Sequence, residues 1–196
     1  NKKVYTILQL RYHPSIIKLK NKVNTVLKTN PNKVFEIDLT YITTRGQWYL
    51  YSWKGDASKS GGIATNIGVH FFDMLSWIFG EYTEIKTNIK KEDVNAGILK
   101  FKNANVRWFL SINSKHLIQN PVNKDLKTFR SITVDNQEVE FSDGFTDLHT
   151  TSYVDILKGD GFGLEDAKPS IEIVSKIRSS DPIGLKGEYH PFCKLV

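Results

Sequence analysis

Residues 95–113, NAGILKFKNANVRWFLSIN, decide the fold class. Two stretches, 95–101 and 106–113, are rich in apolar and aromatic side chains and flank the polar turn Asn103-Ala104-Asn105, the pattern of an antiparallel hairpin. Side chains along a strand point alternately to opposite faces. In the second stretch Val106, Trp108, Leu110 and Ile112 therefore share one side, and Arg107, Phe109 and Ser111 the other. Further strands are expected at 84–89, 130–134 and 138–141, with Asp135-Asn136-Gln137 as a second short turn. Upstream, residues 33–43 set Val34, Glu36, Asp38 and Thr40 against Phe35, Ile37, Leu39 and Tyr41, a strand with one oily and one wet face.

Helical spacing surrounds these strands. Ile16, Leu19, Val23 and Val26 recur with lysines between them over 14–27, and Pro14 suits a first helical turn. The strongest helix spans 63–79, with Ile63, Ile67, Phe71, Met74, Leu75 and Ile78 on one stripe and Gly80 as its stop. Two more are expected at 146–158 and 164–178, and Gly159-Asp160-Gly161-Phe162-Gly163 reads as the stop of one and the start of the next. The prediction is a single α+β domain over residues 1–196: a large, mostly antiparallel but mixed sheet with helices on one face.

Composition narrows the class. Of 196 residues, 40% are apolar and 24% charged, enough to bury a core and too apolar for a disordered chain. No apolar run approaches the roughly 20 residues of a membrane helix. The single cysteine, Cys193, excludes an internal disulfide and a thiolate zinc cage and fits a reducing compartment, so a cytoplasmic location is expected. The chain opens on Asn1, and its one methionine is Met74, so it reads as a piece of a longer protein. The net charge of +6 admits an acidic partner, either a phosphorylated ligand or nucleic acid. Only five cations are arginines and the lysines are spread along the chain, which makes nucleic acid the weaker choice.

The candidate chemistry lies in residues 61–73, GGIATNIGVHFFD. On a regular helix Asn66, His70 and Asp73 fall at i, i+4 and i+7, in one line. A histidine so placed can act as a general base or clamp a hydroxyl, with a neighbouring amide or carboxylate fixing its tautomer; the alternative is a histidine that only satisfies a core carbonyl. The preceding segment, 45–62, is expected to be an irregular loop. Arg45, Lys54 and Lys59 supply cations, Tyr49, Ser52 and Ser60 hydroxyls, and Trp53 a ring face, a set suited to an anionic sugar ligand. His13, His116, His149 and His190 lack metal-ligand spacing, so no metal site is expected.

The run GGIATNIGVHFFD resembles the helix motif of the Gfo/Idh/MocA oxidoreductases, with Gly61, Gly62, Gly68, His70 and Asp73 matching and Asn66 standing where that family has an aspartate. LQLRYHPSI (8–16) is similar to the segment that joins the two domains of those enzymes, and TTRGQWYLYSWKGDASKSGGIATNIGVHFFDML (43–75) resembles the branch that oxidises UDP-N-acetyl-2-amino-2-deoxyglucuronate. The resemblance implies the C-terminal substrate-binding and oligomerisation domain of an NAD-dependent dehydrogenase. The reaction would take the sugar 3-hydroxyl to a ketone, a step toward the aminouronic acids of lipopolysaccharide and O-antigen. The Rossmann domain, the main NAD binder, would lie upstream of this chain, so the fragment alone should not turn over. By the same resemblance His70 is the base or proton relay and Asn66 holds a hydroxyl. Arg45, Tyr49 and Lys54 or Lys59 would meet carboxylate and diphosphate. Gln9 and Arg11 would approach the cofactor, or Arg11 would be a buried hinge residue. The outer face of the sheet is expected to bury itself in a homo-oligomer. Two rival readings stay open: a non-catalytic ligand-binding or oligomerisation module of the same fold, and a basic nucleic-acid-binding domain.

Overall fold

Six strands form one mixed sheet in the computed structural model, which describes residues 2–45, 47–117, 127–139, 141 and 144–196. The strands are β1 (Phe35–Thr43), β2 (Tyr82–Lys90), β3 (Val94–Phe101), β4 (Ala104–Ser111), β5 (Thr128–Val134) and β6 (Gln137–Val139), in the order β2-β3-β4-β1-β5-β6. All neighbours are antiparallel except β1 and β4, which run parallel with Leu39 opposite Trp108. The β3–β4 hairpin turns at Lys102 and Asn103, one residue ahead of the turn expected from sequence, because Ala104 already pairs with Phe101 and is fully buried. The β5–β6 turn is set by Asp135 and Asn136, both at positive φ (49° and 63°), which suits a two-residue hairpin. Its last strand ends at Val139; the end expected at 141 involves Glu140, outside the described residues.

The helices are α1 (Pro14–Thr29), α2 (Gln47–Tyr51), α3 (Ala57–Ser60), α4 (Val69–Phe79), α5 (Leu148–Lys158) and α6 (Leu164–Ser179), with a π-helical turn at Ala64–Gly68 running directly into α4. The expected irregular loop is thus corrected to two short helices joined by turns. The faces of β1 and β4 bearing Phe35, Ile37, Leu39, Val106, Trp108 and Leu110 pack under α1, α4 and α6, with Phe72 edge-on to the Trp108 ring at 5.3 Å. The helix lies hard against the sheet at Gly68. A methyl carbon there would sit 2.7 Å from the Phe72 ring and 2.9 Å from Leu110 Cδ1, so no larger residue fits without displacement.

The other face does not remain open. The chain after α6 folds back across it: Ile183 and Gly184 donate their amides to the carbonyls of Thr87 and Asn88 on β2, and the last turn, Pro191–Leu195, covers β4. Phe109, Ile42, Val94 and Ala96 are fully buried beneath it, with Phe192, Tyr189 and Cys193 on top. This corrects the expectation that Phe109 contributes to a free apolar surface. What stays uncovered is charged: Arg107 grips Asp38 across the β1–β4 register through Nε (2.5 Å) and Nη2 (2.7 Å), Asn105 binds Glu36, and Glu84 pairs with Lys86 and Lys100.

His190 fastens this tail. Its Nδ1 accepts the Phe192 amide at 3.1 Å, and its Nε2 is therefore the nitrogen that donates to Thr40 Oγ1 at 3.0 Å. Burial pushes it from 6.5 down to about 4. Protons consequently bind the unfolded chain more readily than the folded one between those two values. The contribution of this group is complete above pH 6.5 and is lost as pH falls toward 4, by up to about 3 kcal/mol. Urea denaturation across that range should show the decline, and His190→Gln should remove this part of the slope.

Candidate active-site half-cleft

The site is built from three segments that the sequence separates widely. Residues 9–12 form a single 3₁₀ turn leading through His13, the N-cap of α1, so the side chains of Gln9 and Arg11 leave the same short turn. Arg11 is 6% exposed and fully engaged. Its Nη2 and Nε donate to Asp73 at 2.7 and 3.1 Å, its Nη1 and Nη2 reach the Asp166 side chain and carbonyl at 3.2 and 2.8 Å, and its guanidinium lies over the Phe162 ring at 4.5 Å. Asp166 in turn accepts the Gly163 amide at the start of α6. Arg11 therefore sits as a buried hinge residue, with four of its five N–H donors spent on Asp73 and Asp166. Asp73 faces Arg11, and it is not the group beside His70. Burial pushes the Asp73 carboxyl up, against the pull of Arg11.

His70 instead meets Gln9, whose Nε2 lies 3.4 Å from the imidazole Nδ1. Burial lowers the His70 pKa from its usual value, and the nearby His149 pushes the same way, so the ring is neutral near pH 7. Gln9 Oε1 is buried and has no hydrogen-bond partner. The two residues line a cavity of about 310 Å³ together with Arg45, Asn66, Arg130 and His149, over a floor that includes Tyr41 and Phe71. Arg130 is seated on aromatic rings, 4.3 Å above Phe145 and 5.5 Å from Tyr41. Arg130 and His149 carry no local motif; they arrive from β5 and α5 and belong to the cavity only through the fold.

The π-helical turn shapes the approach to His70. Widening the helix by one residue loosens the i→i+4 ladder, and side chains take up the freed carbonyls. Thr65 Oγ1 donates to Gly61 O at 3.0 Å and Asn66 Nδ2 to Gly62 O at 3.1 Å, with a longer contact to Lys54 O at 3.4 Å. Asn66 thus holds the loop to the helix through its nitrogen and keeps its oxygen as an acceptor. Gly61 is required twice over, by its φ of +77° and because a methyl carbon would meet Thr65 Oγ1 at 2.3 Å.

The remaining expected residues divide. Tyr49 and Lys54 line a different cavity, beside Gly61 and Gly62, and not that of His70. The Tyr49 hydroxyl is buried, which pushes its pKa up against the opposing pull of Arg45 and Asn66. Ser52 donates to the Tyr49 carbonyl, and Ser60 bridges the Lys54 carbonyl and the Gly62 amide, so both hydroxyls serve the loop. Lys59 is exposed and paired with Asp56 at 3.3 Å. Trp53 is 59% exposed, with Lys54 Nζ 5.9 Å from its ring. Among the described residues no group of three His, Cys, Asp or Glu side chains could hold a metal ion, and no helix is long and apolar enough to cross a membrane.

The Arg11–Asp73 pair makes a sharp prediction. Asp73→Ala leaves a buried guanidinium without its main partner and should destabilise the chain by about 3–5 kcal/mol. Arg11→Met combined with Asp73→Leu should recover most of that loss in urea denaturation.

Residues 32–121 match the C-terminal alpha/beta domain of the oxidoreductase family Gfo/Idh/MocA. The WlbA (WbpB) dehydrogenase of Thermus thermophilus, solved with NAD and UDP-GlcNAcA, is 43% identical over 97% of this chain with a TM-score of 0.89; its complex with NAD and alpha-ketoglutarate aligns at 45% and 0.89. The WlbA dehydrogenase of Bordetella pertussis, at 16% identity over 90% of the chain and a TM-score of 0.63, shares the fold. The chain spans about 60% of the length of these relatives. By the family match over residues 32–121 and the 43% identity to the Thermus enzyme, the chain belongs to the Gfo/Idh/MocA oxidoreductases, as their C-terminal alpha/beta domain.

Proposed function

We propose that this chain is the substrate-binding part of an NAD-dependent dehydrogenase that oxidises the 3-hydroxyl of UDP-N-acetyl-2-amino-2-deoxyglucuronate to a 3-keto sugar in the cytoplasm, for surface polysaccharide. The observation that carries the reading is His70, neutral, tied at Nδ1 to Gln9, and set in a cavity that also holds the Arg45 and Arg130 guanidiniums. Substrate class comes from the Thermus relative, whose structure holds UDP-GlcNAcA.

With Nδ1 held by Gln9, Nε2 is the nitrogen left for a ligand. A side-chain amide can present either end. When Gln9 Nε2 donates to Nδ1, the imidazole proton sits on Nε2 and can be given to a ligand oxygen. Turned by half a rotation, Oε1 accepts from Nδ1–H, and Nε2 becomes the lone pair that takes the hydroxyl proton as the sugar carbon is oxidised. The same turn gives the orphaned Oε1 a donor. Arg45 and Arg130 suit the uronate carboxylate, and the Asn66 oxygen suits a neighbouring hydroxyl.

Gln9, a polar residue at the wall of the cavity beside His70, is the group of this chain that would meet NAD. When bound, the nicotinamide supplies the hydride acceptor. Arg11, engaged with Asp73 and Asp166, holds the turn that carries Gln9.

With the upstream half of the protein present, NADH formation from UDP-N-acetylglucuronate should be followed for His70→Ala. The expected loss in kcat is roughly 10²–10⁴-fold, the usual contribution of a positioned base. The acid limb of kcat/KM should lie below the ordinary histidine value, since burial lowers the His70 pKa. Undiminished turnover by the variant would reject the assignment.

Self-association through the outer face of the sheet belongs to the same proposal. The uncovered part carries the Asp38–Arg107 and Glu84–Lys86–Lys100 pairs, so such a contact would be polar. Size-exclusion chromatography should show a dimer or larger assembly that weakens with added salt; a strict monomer at low salt and high concentration would remove it.

A further inference from the structure

Oxidation of a hydroxyl leaves a proton on the group that takes it, and the cavity around His70 is a poor place to keep one. The imidazole is desolvated, and among the described residues that line the cavity there is no Asp or Glu. The permanent charges there are Arg45 and Arg130, which repel an imidazolium. Asp73, the nearest acid on the helix by spacing, is spent on Arg11. Asn66, on the same ridge as His70, offers an amide and no carboxylate. Gln9 holds Nδ1, and an amide cannot take up a proton near neutrality, so a proton received at Nε2 has to leave from the side that faces the cavity.

Of the side chains on that side, His149 alone shares with His70 a side-chain type that ordinarily titrates near neutrality. It is exposed to solvent and lies in the first turn of α5. Its backbone position is a constrained one. Asp147, just before the helix, is in the left-handed region at φ 62° with no side-chain capping bond, and the turn that follows brings both Leu148 and His149 to the cavity wall. Strained positions of this kind gather at functional sites. His149 is also felt electrostatically by His70, whose pKa it lowers in addition to burial.

We infer that His149 is the proton exit of this site, a relay residue that takes the proton from His70 Nε2, directly or across one water, and passes it to solvent. The inference rests on the dehydrogenase reading. The hydroxyl O–H bond breaks as Nε2–H forms on His70, while the hydride of the same carbon goes to the nicotinamide. Nε2–H then breaks as an N–H bond forms on His149, which returns to its starting form by losing that proton to water or buffer. The groups that share the cavity with His149 are His70 from α4, Gln9, Arg130 from β5, and Tyr41 and Arg45 at the end of β1 and just after it. The turn packed against α5 adds Arg11, bound to Asp73 and Asp166, and Tyr12, close to Asp155. On its own helix Asp147 precedes it, and Asp155 and Lys158 lie toward the far end. The permanent charges on the cavity side are thus positive and favour release of the proton over its retention.

The test uses the protein with its upstream half, NAD and UDP-N-acetylglucuronate. In dilute buffer His149→Gln should lower kcat by roughly 10²-fold, the low end of what a positioned proton-transfer group contributes, with KM little changed. Added imidazole should restore most of that loss, because a small base can collect the proton where the side chain is missing; a structural or ligand-binding role would not respond to it. By proton NMR of the chain, His149→Gln should also raise the His70 pKa, since an opposing charge is removed. Undiminished kcat in dilute buffer, a loss that imidazole does not restore, or an unmoved His70 titration would each overturn the relay, and wild-type turnover would leave the dehydrogenase reading standing. Failure of the wild-type protein to oxidise the sugar would instead reject that reading, and the relay with it.

Discussion

One guanidinium organises this protein. Arg11 stands where the N-terminal segment, the helix that carries His70 and the start of α6 converge, and it binds a carboxylate from each of the two helices. A buried ion pair gains little net free energy over a well-packed apolar pair, because both charges lose their hydration. Its strength is directional: a bidentate fork accepts a carboxylate in one plane. Asp73 is therefore held at a fixed angle to the 3₁₀ turn of Gln9, and Gln9 is held against His70 three residues along α4 from Asp73. The geometry of the half-cleft follows from a charge pair that never touches the ligand.

Two cavities flank one structural seam. In one, a desolvated imidazole sits among Arg45, Arg130 and His149; the other, lined by Lys54, Lys91 and Arg178, lies at the start of the same helix. Between them the π-helical turn is kept in place by Thr65 and Asn66, whose side chains satisfy carbonyls that a regular helix would have bound. Such turns are rare and often mark functional positions. Here the turn also decides which residues share the ridge, since a regular helix would rotate the residues before Val69 by roughly 100° for the one residue gained.

Much of the fold was legible because alternation and helical spacing are local. Residues 106–112 alternate apart from Phe109, and Val106, Trp108, Leu110 and Ile112 share the buried side that the alternation implies. The glycine pair and His70 were legible too, as a contiguous motif. Four features were not. Asp73 falls in line with His70 by spacing, yet a cation from sixty residues upstream claims it. Ser52 and Ser60 have the chemistry of sugar-binding hydroxyls, but short loops with buried carbonyls consume such groups first. Arg130 and His149 reach the cavity by tertiary packing alone. The tail after residue 180 has no periodicity; it is tied over Phe109 by main-chain bonds to β2, by Phe192 and by a histidine–threonine bond, none of which the sequence announces.

The contact at Gly68 has a mechanical meaning. Backbone of the histidine-bearing helix rests on Leu110 of the sheet at Gly68, with the helix's own Phe72 ring beside the contact and no methyl group between, so the helix cannot sink further there. The imidazole two residues further on inherits that stiffness and behaves as the stationary jaw of a vice. Whatever travel is required to enclose a ligand must then be made by the opposing jaw, and the compliance of the grip is set there.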